Sequence, residues 1–221
     1  MDYLQVDLGL PHCQSRKLCH CCPAGHDPLH TDYRPGAPWR TAGYNLARMK
    51  EQPYTQLPIF KIPGVSPFSV AFDSMHVVDL GTTFHCLGNV MFELVMDSGL
   101  SRTAGTAALW ERCQTIYGAL GIRHDHRVNS ITFARFGDEK SPYASYPQLH
   151  GIKARAARYL VPVMAELAEE KVQTPHGVYR ALYVRALAVA CDLMDKYLLY
   201  MPADDHGKLE RAVSQFLCHY A

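Results

Sequence analysis

Phe84-His85-Cys86-Leu87-Gly88-Asn89-Val90-Met91-Phe92-Glu93-Leu94-Val95-Met96 decides the fold class. Phe84, Leu87, Val90, Met91 and Leu94 recur at steps of three and four, the interval that lines one face of an α-helix. The same rhythm runs upstream through Phe68, Phe72, Met75 and Val78. Gly81 and Gly88 interrupt it, permitting a kink or the close approach of a neighbour. Ser98-Gly99 ends this helix, and Ser101 offers an N-cap for a second one reaching about Leu120.

Beyond it, His124 to Tyr146 is a polar connection, with a short strand or turn expected at Ile131–Phe136. Three more helices are expected, at about Lys153–Lys171, Gly177–Tyr200 and Asp204–Tyr220. Pro202 and the carboxylates of Asp204 and Asp205 mark the last restart, because negative charge suits a helix N-terminus. Upstream, residues 1–42 have no period, and Pro28, Pro35, Gly36 and Pro38 punctuate a surface loop. A short helix is expected from Thr41 to Glu51, then a proline-rich stretch in which Leu57-Pro58-Ile59-Phe60 reads as a short extended piece. The expected fold is mainly α: a loop-rich, zinc-associated segment over 1–64 and a helical domain of about five or six helices over 65–221.

Bulk properties exclude several classes. The 221 residues carry a net charge of +1 and are 48% hydrophobic, so no global basic field announces nucleic acid, although a local basic face remains open. The apolar stretches near 86–96 and 186–201 contain Glu93, Asp192, Asp195 and Lys196, so neither is expected to span a membrane. The eight cysteines do not form a disulfide framework: Cys86, Cys113, Cys191 and Cys218 are scattered through apolar segments, as suits buried thiols in a reducing compartment. No secretory signal pattern opens the chain, and an intracellular location is expected. There is no P-loop, no Gly-x-Gly-x-x-Gly, no Gly-x-Ser-x-Gly and no His-Glu-x-x-His.

Four constellations carry chemistry. Cys19 and Cys22 have the C-x2-C spacing that lets two thiolates of a tight turn reach one tetrahedral zinc, and His26 and His30 are candidates to complete the site. Asp73, His76 and Asp79 fall roughly on one helix face, where they can bind a divalent metal or simply brace the helix through hydrogen bonds. His124-Asp125-His126 places two imidazoles on alternate loop positions, a metal pair or solvated turn residues. Lys153, Arg155 and Arg158, with Arg180 and Arg185 two helices on, are candidate phosphate contacts or a solvated face.

Three local matches then resemble cut-and-paste DNA transposases of the CACTA-like group, members of the DDE class with an RNase H-like core. They are Tyr3-Leu4 and Leu8-Gly9-Leu10-Pro11-His12 followed by Cys19-x-x-Cys22; Thr31-Asp32-Tyr33-Arg34-Pro35 with Trp39-Arg40-Thr41; and Pro63-Gly64-Val65-Ser66 followed by Asp73-x-Met75-His76 and Leu80-Gly81. The resemblance covers about residues 1–95 by motif and the remainder only by helical character. It implies that this is an internal piece of a mobile-element protein. The second catalytic aspartate is expected just before Met1, with Asp2 a weak substitute; a His pair completing the zinc site and the catalytic glutamate are expected beyond Ala221. Two-metal phosphoryl transfer requires converging carboxylates, so Mg2+ is expected only in the intact parent and this chain is expected to be catalytically inactive. The implied parent role is DNA binding and transposition, possible as a homo-oligomer, with residues 1–64 at the edge of the RNase H-like core. Asp73 and His76 would brace the first insertion helix. Two rivals stand beside it: an all-α metal hydrolase using Asp73, His76, Asp79 and a distant His124 or His150, and a non-enzymatic zinc-stabilised interaction module.

Overall fold

From Met75 onward the periodic stretch is helical in two styles, while Phe68 and Phe72 of the same rhythm lie outside the described residues. In the computed structural model, Met75–Thr82 winds as a π-helix and passes without a break into α-helix at Thr83–Asp97. The structure describes residues 19, 22–23, 34, 36–38, 42–43, 46–66, 75–137, 147–197 and 200–220. The chain divides into two compact units, Met1–Asp73 and Ser74–Ala221. Among the described residues the secondary structure is helical and no strand occurs.

The first unit has a short α-helix, α1 (Leu46–Lys50), and two single 3-10 turns, Pro53–Gln56 and Pro58–Lys61. The second turn corrects the expected extended piece: only Leu57, the hinge between the turns, is extended (φ −60°, ψ 142°). Pro53 and Pro58 each open a turn, where a missing N–H costs nothing.

Among its described residues the second unit has the π-helix, α2 (Thr83–Asp97), α3 (Arg102–Ala119), α4 (Ala154–Glu170), α5 (Pro175–Lys196) and α6 (Ala203–Tyr220), with 3-10 turns at His124–His126 and Phe133–Arg135. Most boundaries follow from local chemistry. Gly99 adopts φ +68° after α2, and the Ala104 N–H donates to Ser101 Oγ at 3.3 Å to cap α3. The α5 cap is Thr174, whose Oγ1 accepts from the Gly177 N–H at 3.0 Å, with Pro175 at the first helical position. That start lies two residues before the expected Gly177. Helix α5 ends at Lys196, short of the expected Tyr200, and there Lys196 and Tyr197 both donate to the Asp205 carboxylate at the head of α6. The stretch Ile131–Phe136 holds a 3-10 turn at Phe133–Arg135, resolving the strand-or-turn alternative in favour of the turn.

Helix α4 is central: it packs on the π-helix, α2, α3 and α5, while α6 packs along α5. Leu87, Val90 and Met91 of α2 meet Cys113 and Tyr117 of α3, Leu160 and Met164 of α4, and Val184 of α5 in one buried core. Cys86, Cys113 and Cys191 lie within it, as small buried hydrophobes. Residues 147–150 cross α2: the Leu149 N–H donates to the Phe84 carbonyl at 2.9 Å and the His150 N–H to the Arg135 carbonyl at 2.8 Å. This crossing is why position 88 is glycine. A Cβ there would stand 2.3 Å from Gln148 Cα.

Candidate nucleic-acid interface

The N-terminus of α4 is built without a cap. Gly151 turns the chain at φ +65°, and Lys153 occupies the N-cap position with extended backbone but no side-chain acceptor for the first-turn N–H groups. No Ser, Thr, Asp or Asn lies in Gln148-Leu149-His150-Gly151-Ile152-Lys153 to supply one. These donors therefore remain available to solvent or an anion, with the positive end of the helix dipole behind them.

They open on a groove of about 420 Å3 lined by Arg127, Arg135, Lys153 and Arg155, with Asp125, Val128 and Asn129 beside them. Two of these cations are fixed in place. Arg135 Nη1 donates to the Gly151 carbonyl at 2.8 Å. Arg127 Nε donates to the Ile122 carbonyl at 2.7 Å, and its guanidinium lies 5.5 Å from the Tyr117 ring centre. Such bonds orient the guanidinium without cancelling its charge. Lys153 and Arg155 are exposed, and among the described residues neither has an ion-pair partner. The one carboxylate in the wall, Asp125, accepts both Arg123 N–H groups at 3.0 and 2.9 Å; that bond, above all, holds its carboxyl below the usual carboxylate range. The groove thus carries four cations against one carboxylate that is already paired.

Sequence spacing groups Lys153, Arg155 and Arg158; the structure separates them. Arg158 is only 8% exposed, and its Nε lies 2.6 Å from Asp79 Oδ1 and its Nη1 3.6 Å from Asp195. Burial opposes its charge, but Cys191, Asp79 and Asp195 outweigh that and leave its pKa raised. Arg158 is therefore a structural ion-pair residue and not a phosphate-facing one. Arg180, 1% exposed, is likewise used internally by Glu93 at 3.2 Å and Asp97 at 2.7 Å. Arg185 forks onto Glu166 and Glu169 at 2.8 and 2.6 Å. Arg127 and Arg135 are the cations that sequence reasoning missed. They sit in an aperiodic connection, and their only signal is basic residues at short spacing inside a polar loop.

The remaining candidates are dispersed. Asp79 is 7% exposed and faces the Arg158 guanidinium, a cation that competes directly with any metal there. Asp73 and the side chain of His76 lie outside the described residues, as do His26 and His30. The π-helix over Met75–Thr82 also departs from the 3.6-residue turn on which an Asp73/His76/Asp79 stripe depends. His124 and His126 do not converge: His126 stacks on Tyr159 with ring centres 4.4 Å apart, whereas His124 is exposed in a separate cavity. His150 is exposed on the strap over α2. Cys19 and Cys22 are both half-buried. Among the described residues no three His, Cys, Asp or Glu side chains group to hold a metal. No described helix is long and apolar enough to cross a membrane. No family model, curated protein or solved structure matches the chain.

Proposed function

We propose that the helical unit is a DNA-contacting module of a transposase-like nuclear protein, acting by binding phosphates and not by cutting or joining strands. The observation that carries this reading is the groove at the head of α4, where Lys153 and Arg155, unpaired among the described residues, stand beside the fixed guanidinium groups of Arg127 and Arg135. Backbone phosphates are what such an arrangement suits: several cations at one place, open donors at a helix end, and no carboxylate left to compete. A net charge of only +1 makes the groove the local exception on a balanced surface. The transposase assignment rests on the motif resemblance in residues 1–95, and DNA binding is the part of it that the groove supports. On this reading Mg2+ chemistry belongs to the intact parent alone. Cys19 and Cys22 are proposed as structural zinc ligands on their C-x2-C spacing, with His26 and His30 as candidate partners; metal content of the purified chain, before and after Cys19→Ser and Cys22→Ser, tests that role. Homo-oligomerisation, if present, belongs to the parent role.

The test of the DNA reading is fluorescence anisotropy with a labelled duplex. The K153A/R155A chain should bind markedly more weakly, while R185A, which removes one positive charge elsewhere, should bind as the parent does. Weakening by R185A of about half that of the double variant, in proportion to the charge removed, would point to net charge and against the groove. Robust Mg2+- or Mn2+-dependent cleavage abolished by Asp79→Asn would overturn the non-catalytic reading and favour the hydrolase.

A further inference from the structure

The cationic groove does not end at Arg127. A second cavity of about 290 Å3, lined by Trp110, Gln114, Tyr117 and His124, shares Arg127, Val128 and Asn129 with it. The α3 side therefore adjoins the phosphate-suited groove at the head of α4, and Arg127 stands between the two cavities, its guanidinium over the Tyr117 ring.

The chemistry changes across that junction. On one side lie Lys153, Arg155 and Arg135; on the other, the indole of Trp110 with exposed amide and imidazole groups from Gln114, Asn129 and His124, while Tyr117 is buried beneath Arg127. Trp110 is half-buried, packed partly against the core and partly lining the cavity. Charge beside a small cavity with one indole wall and polar edges is the complement of a nucleotide: a phosphate, a flat π-face and an edge of hydrogen-bonding groups. The cavity is at the small end of the range of about 300–1,000 Å3 typical of ligand clefts, so it suits one ring system and not a duplex. A base that is paired and stacked cannot enter it.

We infer that these two adjoining cavities hold an unpaired nucleotide of a nucleic-acid strand, with its backbone along Lys153, Arg155 and Arg135 and its base in the cavity beside Trp110. The inference deepens the phosphate-binding role proposed for the same groove and rests on it. An acidic peptide would satisfy the cations but leave the aromatic cavity unused, and a lone mononucleotide would leave most of the cations without a phosphate.

Intrinsic fluorescence gives the test, because the chain has two tryptophans and Trp39→Phe leaves Trp110 as the only reporter. Three probes are titrated: a short oligothymidylate, a blunt duplex of the same length, and thymidine monophosphate. The oligothymidylate should quench Trp110 and bind about tenfold more tightly than the duplex. Trp110→Ala should remove that advantage and leave duplex affinity unchanged; if this variant does not fold, Asn129→Ala, an exposed wall residue, should reduce the advantage in its place. Equal affinity for strand and duplex without quenching would overturn the inference and leave the phosphate-binding role standing. Binding of neither would end both. Thymidine monophosphate bound as tightly as the strand would also overturn it, in favour of a small-molecule site.

Discussion

Arg155 and Arg158 lie three residues apart on α4 and belong to opposite worlds. Arg155 stands exposed at the groove, whereas Arg158 is folded inward onto Asp79 of the π-helix and Asp195 of α5. The two regions they represent, an open cationic groove and a closed ionic core, contain the same side-chain type in the same short stretch. What separates them is whether a carboxylate from another element is delivered against the guanidinium. Asp79 and Asp195 reach Arg158, Glu93 and Asp97 reach Arg180, and no described carboxylate is delivered to Lys153 or Arg155. Charge in a sequence thus signals binding only after these internal claims have been subtracted.

The sharpest way to break this contrast is to remove the carboxylate. Asp79→Ala strands a buried guanidinium with only the more exposed Asp195 for compensation and should lower the unfolding free energy by about 3 kcal/mol in urea titration. Duplex affinity of the remaining folded chain should not change. Were Asp79→Ala to be neutral for stability and damaging to binding, the core and the groove would have exchanged roles.

Gly88→Ala acts on the groove from behind. The added Cβ would collide with the backbone of Gln148, so either residues 147–150 lift from α2 or the helix shifts, at a cost of about 1–3 kcal/mol. Because the same strap leads into Gly151, whose carbonyl holds Arg135, this variant should weaken both stability and duplex binding. Thermal melting and anisotropy on one sample would show both effects, and a stability loss without a binding loss would detach the strap from the groove.

A smaller effect, visible only in acid, belongs to Asp205. Its carboxylate accepts from Lys208, Tyr197 and Lys196, in that order of influence, which holds its pKa well below the usual carboxylate range. A folded-state pKa depressed in this way contributes stability that is present above the unfolded value of about 4 and lost as pH falls below it. Melting temperature should therefore decline from about pH 4 downward, and Asp205→Asn should flatten that decline without altering the groove. An unchanged acid limb would show that the Lys196–Asp205–Lys208 link does not join α5 to α6 in solution.

How far the sequence spoke depended on the range of the interaction. Ser101 as a cap, Ser98-Gly99 as a stop and the periodic core of α2 are set within a few residues and were legible. Gly88 was legible as a point of close approach, though not which backbone approaches. Thr174-Pro175 is an equally local start signal for α5 that helical periodicity alone does not reveal. The burial of Arg158 was not legible, because it depends on Asp79, whose side chain is delivered through a π-helix that breaks the usual period. Arg127 and Arg135 were hidden for the opposite reason: an aperiodic connection gives no face on which to place them, and only the crossing at Gly151 brings Arg135 to the head of α4. The zinc candidates His26 and His30, and Asp73 of the transposase-like motif, lie outside the described residues, so that part of the site is still carried by spacing alone.

The central claim, that the head of α4 meets phosphates, is tested most directly by the salt dependence of duplex binding. Each phosphate neutralised contributes about −0.9 to the slope of log affinity against log salt on B-form DNA. The K153A/R155A chain should show a slope shallower by about 2 than that of the parent chain, at unchanged melting temperature. Parallel slopes for the two chains would contradict the account, because the cations left without an ion-pair partner among the described residues would then have none in the complex either.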